Sequence, residues 1–405
     1  MQCVLFEDSF TRDSGPLVSA RPAFAVTCGV SILYEAARRR FDTVGTVMRD
    51  YLAPVCNRSF PADELQTGPT LYVNASLVPD AASVRRLAQL ADRGEGFMAT
   101  HGDRVAAALL PDGPLPDASP ENVASRLLET KLPLASEEMP TIDYPFDVVK
   151  YHLEIFERNL GTLIESGRFT ERAKNVYVGK DVSIAETAVL HAEEGPIVLD
   201  DNARVMDFAY LMGPLYVGKG SRIIERSSVK EHVAVGHTCK IGGEVEASII
   251  EDYSNKQHHG FLGHSYVGSW VNLGAGTSNS DLKNTYGEVR VGVGGRVVPS
   301  GMQFFGCVIG DYSKAAINTS IFTGKVIGVC AVLYGFVTTN VPSFCNYARS
   351  FGQVSEVSIE TALQMQKRMF KRRDVVQTPE DEALLRAVYE ATRDERGMAA
   401  EPLSL

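Results

Sequence analysis

The sequence has little that would cross-link the chain or anchor it in a membrane. Its seven cysteines are scattered, none forms a Cys-x-x-Cys pair, and an odd number fits reduced thiols better than a disulfide framework. No segment reaches the roughly eighteen apolar residues of a membrane span. Glu7 and Asp8 stand where a secretion signal would be basic. These absences argue against zinc ribbons and redox pairs, and they predict a cytoplasmic protein with no membrane partner.

Positive charge is also scarce. Forty Lys and Arg face fifty Asp and Glu, for a formal charge of -10. Nucleic acid is therefore a poor general partner, although a local basic patch for phosphates is compatible with this balance. The length of 405 residues, with 44% hydrophobic and 22% charged residues, is typical of a soluble globular protein of two or three domains.

The main positive feature of the sequence is a six-residue repeat between Val176 and Val337. The phrase is an aliphatic residue, often a glycine, several polar residues and a small residue, and its register is clearest in Ile309, Ala315, Ile321, Ile327 and Leu333. A period of six is neither helical nor a simple alternation, and it is the signature of a parallel β-helix. In such a coil the aliphatic residues stack inward, one turn upon the next.

The rest of the chain follows other patterns. Short aliphatic runs alternate with helical stretches in the N-terminal part, which indicates an α/β sandwich with a largely parallel sheet. Two helices are expected after the coil, at 355–372 and 378–393. The predicted parts are an α/β domain at 1–143, a linker helix at 144–170, the β-helix at 171–340 and a helical tail at 341–405.

The repeat is expected to be interrupted once, between Ile249 and Val267, in a stretch rich in side chains that can take part in catalysis or binding. His258 precedes an aromatic by three positions, Leu262-Gly263 follows, and then come Val267-Gly268 and the run 271–277, VNLGAGT. This resembles the acetyltransferase half of the bifunctional enzyme that makes UDP-N-acetylglucosamine, a glucosamine-1-phosphate acetyltransferase joined to a uridylyltransferase. The run 253–284 is still more similar to a branch of that family named as sugar nucleotidyltransferases.

The resemblance implies acetyl-CoA as co-substrate and a set of site residues. N-acetylation needs a base for an ammonium group, donors for the oxyanion of the thioester, and cations for a sugar phosphate. By the match, His258 is the base and the amide of Ala275 lies near the thioester oxygen. The other implied roles are amino-sugar binding by Asn272 and Glu246, coenzyme A phosphate binding by Arg349, and sugar phosphate binding by the nearby cations Lys230 and Lys256.

Three positions depart from the family pattern. Phe261 stands for a tyrosine and Ser248 for a lysine. A family asparagine falls on Asp281, unless a small shift brings in Asn279. The resemblance therefore implies acetyl transfer more firmly than it implies the identity of the acceptor.

The N-terminal part resembles sugar nucleotidyltransferases through Thr11-Arg12, Pro16-Leu17 and Arg21-Pro22. Arg12 and Arg21 are the implied nucleotide-binding residues, with Mg²⁺ needed for transfer from UTP or dTTP to a sugar-1-phosphate. The glycines expected before Thr11 are missing, and no carboxylate stands at 74–76, where a metal-binding aspartate is expected. A domain that keeps the fold without the reaction is the alternative.

Two alternative functions belong to other classes of protein. One is a zinc-dependent hydratase of the γ-carbonic-anhydrase type, which uses the same coil and in which His259 and His264, with His232 or His237, would be ligands. The other is a non-catalytic trimeric scaffold.

The preferred interpretation is an α/β nucleotidyltransferase-like domain, a linker helix, a left-handed parallel β-helix and C-terminal helices, assembled as a homotrimer. The expected function lies in nucleotide-sugar biosynthesis, with small-molecule sugar phosphates and nucleotides as partners. No resident metal is expected in the coil.

Overall fold

A computed structural model describes residues 1–136 and 138–400. Its N-terminal part contains one five-stranded sheet in the order β2-β1-β3-β5-β4. The strands are β1 (Gln2–Phe6), β2 (Thr43–Val47), β3 (Thr70–Asn74), β4 (Phe97–His101) and β5 (Arg104–Leu110). The pairs β1/β2 and β1/β3 are parallel, but β3/β5 and β4/β5 are antiparallel. The predicted α/β fold is confirmed, whereas the expectation of a largely parallel sheet is wrong: β4 and β5 form a hairpin, which needs only a tight turn.

Helices cover this sheet. They are α1 (Leu33–Arg40), α2 (Ala53–Ser59), α3 (Ala81–Ala91) and α4 (Val123–Glu129). Every residue of β1 is buried, as expected for a strand covered on both faces. The strand is followed by a 3-10 segment, Ser9–Leu17, and two shorter ones lie at Ala23–Ala25 and Asp50–Leu52.

The predicted linker helix is present as α5 (Asp147–Glu165). Its apolar side chains recur at helical spacing, and Phe156 and Leu160 pack in one cluster with Val198 and Ala234 of the coil. His152 adds a contact of 2.8 Å between its Nε2 and the carbonyl oxygen of His232. The helix therefore joins the N-terminal part to the side of the coil.

Residues after α5 wind into the predicted parallel β-helix. In chain order its strands, with an inserted hairpin and two closing strands, are β6 (Thr170–Ala173), β7 (Val176–Val178), β8 (Ser183–Ile184), β9 (Val189–His191), β10 (Ile197–Leu199), β11 (Arg204–Val205), β12 (Tyr210–Met212), β13 (Leu215–Val217), β14 (Arg222–Ile223), β15 (Ser228–Val229), β16 (Val233–Val235), β17 (Lys240–Ile241), β18 (Glu244–Glu246), β19 (Ile249–Ile250), β20 (Asn255–Lys256), β21 (Phe261–Gly263), β22 (Tyr266–Val267), β23 (Asn272–Leu273), β24 (Ser278–Asn279), β25 (Arg290–Val293), β26 (Arg296–Pro299), β27 (Cys307–Ile309), β28 (Lys314–Ala315), β29 (Ser320–Ile321), β30 (Lys325–Ile327), β31 (Val332–Leu333), β32 (Phe336–Val337), β33 (Cys345–Ala348) and β34 (Gln353–Glu356).

These strands form long sheets that run along the coil. The first face is built on β7, β10, β13, β16, β19, β22, β27 and β30, and the second on β8, β11, β14, β17, β20, β23, β28 and β31. The third face consists of β9, β12, β15, β18 and β21. The inward aliphatic residues of the repeat, including Ile309, Ile321, Ile327 and Leu333, fill a common core. This burial supplies the stability of the coil.

The corners of the coil use left-handed backbone. Thr238, Tyr253, Trp270 and Tyr312 have φ between 58° and 65°. Such values cost non-glycine residues some free energy, which the packed coil offsets. Gly236 is required for a different reason, because a Cβ there would lie 2.4 Å from Oδ1 of Asp252.

The winding does not break where the sequence analysis expected. Between Ile249 and Val267 the strands β19 to β22 all pair in parallel with their neighbours. The insertion comes later, between β24 and β27, and it contains the antiparallel hairpin β25/β26. The dense polar stretch is therefore part of the regular coil and holds its side chains on fixed positions.

The predicted C-terminal helices are present as α6 (Ile359–Lys371) and α7 (Pro379–Ala391). The first begins later than expected, because 353–356 is strand β34, paired antiparallel with β33. The second begins at Thr378 with a capping box to Asp381, as its sequence predicts. Two 3-10 segments, Arg349–Phe351 and Arg393–Ala400, complete the tail, and residues 401–405 lie outside the described residues. None of the helices in the described ranges is long and apolar enough to cross a membrane.

Candidate functional site

The third face carries a row of charged side chains between the end of β15 and the residues that follow β24. In β18, Val245 is buried in the coil, so that Glu244 and Glu246 on either side of it point outward. Lys230 follows β15 on the preceding turn. Its ammonium lies 2.6 Å from Oε1 of Glu244 and 3.3 Å from Oε2 of Glu246. The hydrogen bond to Glu244 is the main cause of a raised pKa for Lys230.

A histidine and an aspartate extend this row. Nδ1 of His264, directly after β21, lies 2.8 Å from Oδ2 of Asp281. The ring of Phe304 stacks on the imidazole with centroids 5.3 Å apart. The two polar side chains are 18% and 13% exposed, so they are shielded but still open to a ligand. We call Lys230, Glu244, Glu246, His264 and Asp281 the acidic row.

The acidic row has more negative than positive charge. Glu244 and Glu246 share the single ammonium of Lys230, and Asp281 contacts the imidazole of His264. Glu246, His264 and Asp281 place one ligand atom each within 4.8 Å of one another, which raises the question of a metal ion. In the structure these side chains already have partners, because Asp281 contacts the imidazole of His264 and Lys230 contacts Glu246. The surplus charge is better suited to a cationic group of a ligand.

His258, the predicted base, lies at the corner between β20 and β21 and is exposed. The next turn stacks on this corner, since the amide of Gly276 donates to the carbonyl of His259 at 3.0 Å. This brings the corners of His258 and Ala275 together. Within residues 1–136 and 138–400 nothing accepts from the amide of Ala275, so this N–H is available to a ligand.

Two other predicted binding residues lie away from the third face. Asn272 is on the second face, where its Oδ1 lies 3.4 Å from Nδ2 of Asn255. Arg349 is exposed in the 3-10 segment that follows β33. Neither residue is brought to the acidic row within one chain.

Two more have structural roles that contradict the predictions. Lys256 occupies an inward position of β20, where its ammonium is buried and donates to the carbonyls of Gly242 at 2.9 Å and His258 at 3.1 Å. Burial lowers its pKa to about 8. Asn279 is also buried, and its amide group bonds to the backbone of Gly263 in both directions. Lys256 cannot reach a sugar phosphate from this position, and Asn279 has no free polar group for a substrate.

In the N-terminal part, the loop after β1 is held by its own carboxylates. Oδ1 of Asp8 accepts from the amides of Phe10 and Thr11 at 3.1 Å each. The same carboxylate binds Arg104 at 2.7 Å and the side chain of Asn74 at 2.7 Å. Burial acts to raise the pKa of Asp8, but the contacts with Arg104, Asn74 and Thr11 outweigh it and lower the pKa. The amides that a nucleotide phosphate would need are therefore capped by Asp8.

The two arginines predicted to bind nucleotide differ sharply. Arg21 is enclosed by carboxylates of the coil, 2.5 Å from Asp311 and 3.1 Å from Glu251. It joins the N-terminal part to the first face and is not free for phosphate, contrary to the prediction. Arg12 is exposed and lines a cavity of about 960 Å³ between the loop after β1 and the hairpin β25/β26.

The histidines of the zinc hypothesis do not converge within one chain. His232 faces Glu157 and packs edge-on to Phe156, and His237 lies 3.1 Å from Asp252. His259 is exposed, while His264 bonds to Asp281. Within one chain these four histidines therefore do not form a common zinc site.

Sequence reasoning did not find the His264 and Asp281 pair or the role of Arg104. The first could have been found, because the two residues are 17 positions apart, the length of one turn here, as in the pairing of Glu246 with Gly263. Arg104 carried no signal, since its partner Asp8 is 96 positions away and comes close only through the sheet.

Comparison with known proteins agrees with this architecture. A family described as sugar nucleotidyl transferase matches residues 3–168. The predicted resemblance to the bifunctional enzymes is likewise confirmed by sequence similarity to two of them.

A bifunctional sugar-1-phosphate nucleotidylyltransferase/acetyltransferase of Sulfurisphaera tokodaii is 33% identical over 149 residues, covering 36% of this chain and 37% of that protein. The bifunctional protein GlmU of a Cyanothece species is 26% identical over 159 residues, covering 37% of this chain and 31% of that protein. The chain thus spans about a third of the length of these two relatives.

Among solved structures, a UDP-N-acetylglucosamine acyltransferase from Campylobacter jejuni is similar, with a TM-score of 0.24 and 12% identity over 56% of this chain and 86% of that one. A TM-score of this size supports no conclusion about function.

Proposed function

We propose that the β-helix transfers an acetyl group from acetyl-CoA to the amino group of a hexosamine-1-phosphate bound on the third face. The acidic row supports this proposal most directly. An amino sugar is an ammonium ion at neutral pH, and the surplus carboxylates of the row attract that charge. Lys230, next to Glu246, limits the surplus and is within reach of a phosphate that enters beside the row.

The thioester is proposed to bind at the corner of Ala275. Its unpaired amide is a donor for the oxygen that becomes negative when the amine attacks the thioester carbon. This corner stacks on that of His258, which borders the third face at the start of β21. The thioester would extend from this corner along β21, a strand about 10 Å long, so that its carbon reaches the amine at the acidic row.

Assembly as a homotrimer is part of the proposal. The third face of a single chain is open, and a neighbouring coil would close the site and exclude water from it. Arg349 and Asn272, which lie away from the acidic row in one chain, would then serve a site formed with a neighbouring copy.

A cytoplasmic location remains a prediction.

Nucleotidyl transfer to a sugar-1-phosphate by the N-terminal part is the second proposed activity. The family match over 3–168 and the cavity beside Arg12 favour it. The capped amides of Phe10 and Thr11, and Asn74 in place of a metal-binding carboxylate, favour the alternative of a domain without this reaction. Mg²⁺ would be needed for this step alone.

One assay tests both activities separately. The protein is incubated with acetyl-CoA, glucosamine-1-phosphate, UTP or dTTP, and magnesium, while free thiol and pyrophosphate are followed independently. Thiol release that requires the amino sugar supports acetyl transfer. Thiol without pyrophosphate assigns the N-terminal part to the non-catalytic alternative. Absence of thiol release with every amino sugar, phosphorylated or not, would contradict the proposal and favour the scaffold.

A further inference from the structure

We propose that His264, oriented by Asp281, is the base that takes the proton from the substrate amine, rather than His258. This assignment rests on the proposed acetyl transfer and names the residue that performs its proton step. The two histidines lie at opposite ends of β21, so both border the same face, and their surroundings decide between them.

The hydrogen bond to Asp281 fixes the form of the imidazole. A carboxylate accepts, so Nδ1 of His264 carries the hydrogen in the 2.8 Å contact. In the neutral imidazole this leaves Nε2 unprotonated and able to accept a proton. Over the described part of the chain, Nε2 of His264 has no hydrogen-bond partner. Stacking on Phe304 restricts the ring further. A neutral, oriented imidazole with a free acceptor nitrogen is what general base catalysis requires.

The charges around His264 also suit an amine substrate. Asp281 lies on one side and Glu246 on another, with Lys230 behind Glu246, whereas His232 on an earlier turn faces Glu157 instead. The two carboxylates attract the ammonium to the imidazole. They also stabilise the imidazolium that forms when the proton has moved, as the carboxylate of a catalytic triad does.

His258 lacks these features. Its side chain is exposed, and in residues 1–136 and 138–400 no carboxylate or carbonyl holds its ring. Among these residues, no acceptor fixes the tautomer or the orientation of this imidazole. Its corner is nevertheless well placed to line the acetyl donor, because it stacks on the corner of Ala275.

The proposed step balances as follows. Nε2 of His264 takes one proton from the ammonium, and the freed nitrogen pair forms a bond to the thioester carbon. The carbon–sulfur bond then breaks, the amide nitrogen loses its second proton, and the thiolate leaves with the proton held by His264. Amide, free thiol and one proton released to solvent are the products, with no oxidant or reductant.

The test compares a substitution of the proposed base with a substitution of the residue that orients it. His264 has φ of 46°, a left-handed value that asparagine and glycine adopt readily. We expect His264→Asn to lower the rate of thiol release with glucosamine-1-phosphate by about 100-fold or more. Asp281→Asn should lower it by a similar factor, because the imidazole loses its orienting acceptor. The matched control is His232→Asn, a corner histidine with φ of 53°, which should stay within about twofold of wild type.

Chemical rescue separates catalysis from structure. Added imidazole should restore a measurable part of the rate to His264→Gly and none to Asp281→Asn. Full activity of His264→Asn together with a 100-fold loss in His258→Asn would overturn the assignment and leave acetyl transfer intact. No thiol release by the wild type with any amino sugar would instead overturn the proposed function, and this assignment with it.

Discussion

The loop after β1 and the third face of the coil both gather carboxylates, but the two regions neutralise them to different degrees. Glu7 and Asp8 in the loop are buried, and each is matched by a buried guanidinium, of Arg49 and Arg104 respectively. On the coil, Glu244 and Glu246 share the single ammonium of Lys230, Asp281 contacts His264, and all three carboxylates remain partly exposed.

The difference separates charges that hold the structure from charges that can serve a ligand. A buried pair that is broken leaves an uncompensated charge, so the loop is fixed by its own ion pairs. The acidic row keeps unneutralised charge at a surface, where a cationic ligand can complete it. This comparison explains why we place the main chemistry in the coil, even though the family match lies in the N-terminal part.

The largest effect should come from breaking a pair in the loop. Arg104→Met leaves Asp8 buried without its cation, and we expect it to lower the free energy of unfolding by about 3–5 kcal/mol. Urea denaturation at pH 7 measures this. The matched control is Arg12→Met, an exposed arginine in the same loop, which should change stability by less than about 0.5 kcal/mol.

The same pair predicts a pH dependence. Because the pKa of Asp8 is lowered in the folded protein, the stability it contributes is present above its unfolded pKa and is lost as pH falls through the folded value. The gap between wild type and Arg104→Met should therefore shrink below about pH 4. A gap that is constant with pH would show that Asp8 is not the partner that matters.

A smaller effect is expected from Lys256, a buried ammonium that bonds to backbone carbonyls. Its pKa is lowered by burial from 10.5 to about 8, so between these values the unfolded chain binds more protons than the folded one. Wild-type stability should rise with pH across this range by about 3 kcal/mol relative to Lys256→Met. Parallel stability curves from pH 7 to 10.5 would argue that the ammonium is solvated.

The smallest predicted effect lies in the acidic row. Glu246→Gln removes one unneutralised carboxylate, and we expect it to raise KM for glucosamine-1-phosphate about tenfold, equivalent to about 1.4 kcal/mol, while KM for acetyl-CoA is unchanged. Glu186→Gln, an exposed residue far along the coil, is the control. If the KM values for both substrates changed equally, Glu246 would have a structural role in the coil and no specific contact with the amino sugar.

The coil was predictable because one residue in six must point inward at every turn, a constraint that Ile309, Ile321, Ile327 and Leu333 display directly. Local signals also placed α5 and the start of α7. The site was harder, because contacts between turns depend on turn length. Lys256 is an example of a residue whose position could not be predicted. Its sequence neighbours are polar, and only the register of β20 shows that its side chain points into the core.

The central claim is that the unneutralised carboxylates of the third face select an amine for acetylation. Thiol release from acetyl-CoA with glucosamine-1-phosphate, compared with glucose-1-phosphate under the same conditions, tests it most directly, since the two sugars differ only at the acceptor group. We predict release with the first and none above background with the second. Equal release with both, or release with neither, would contradict it.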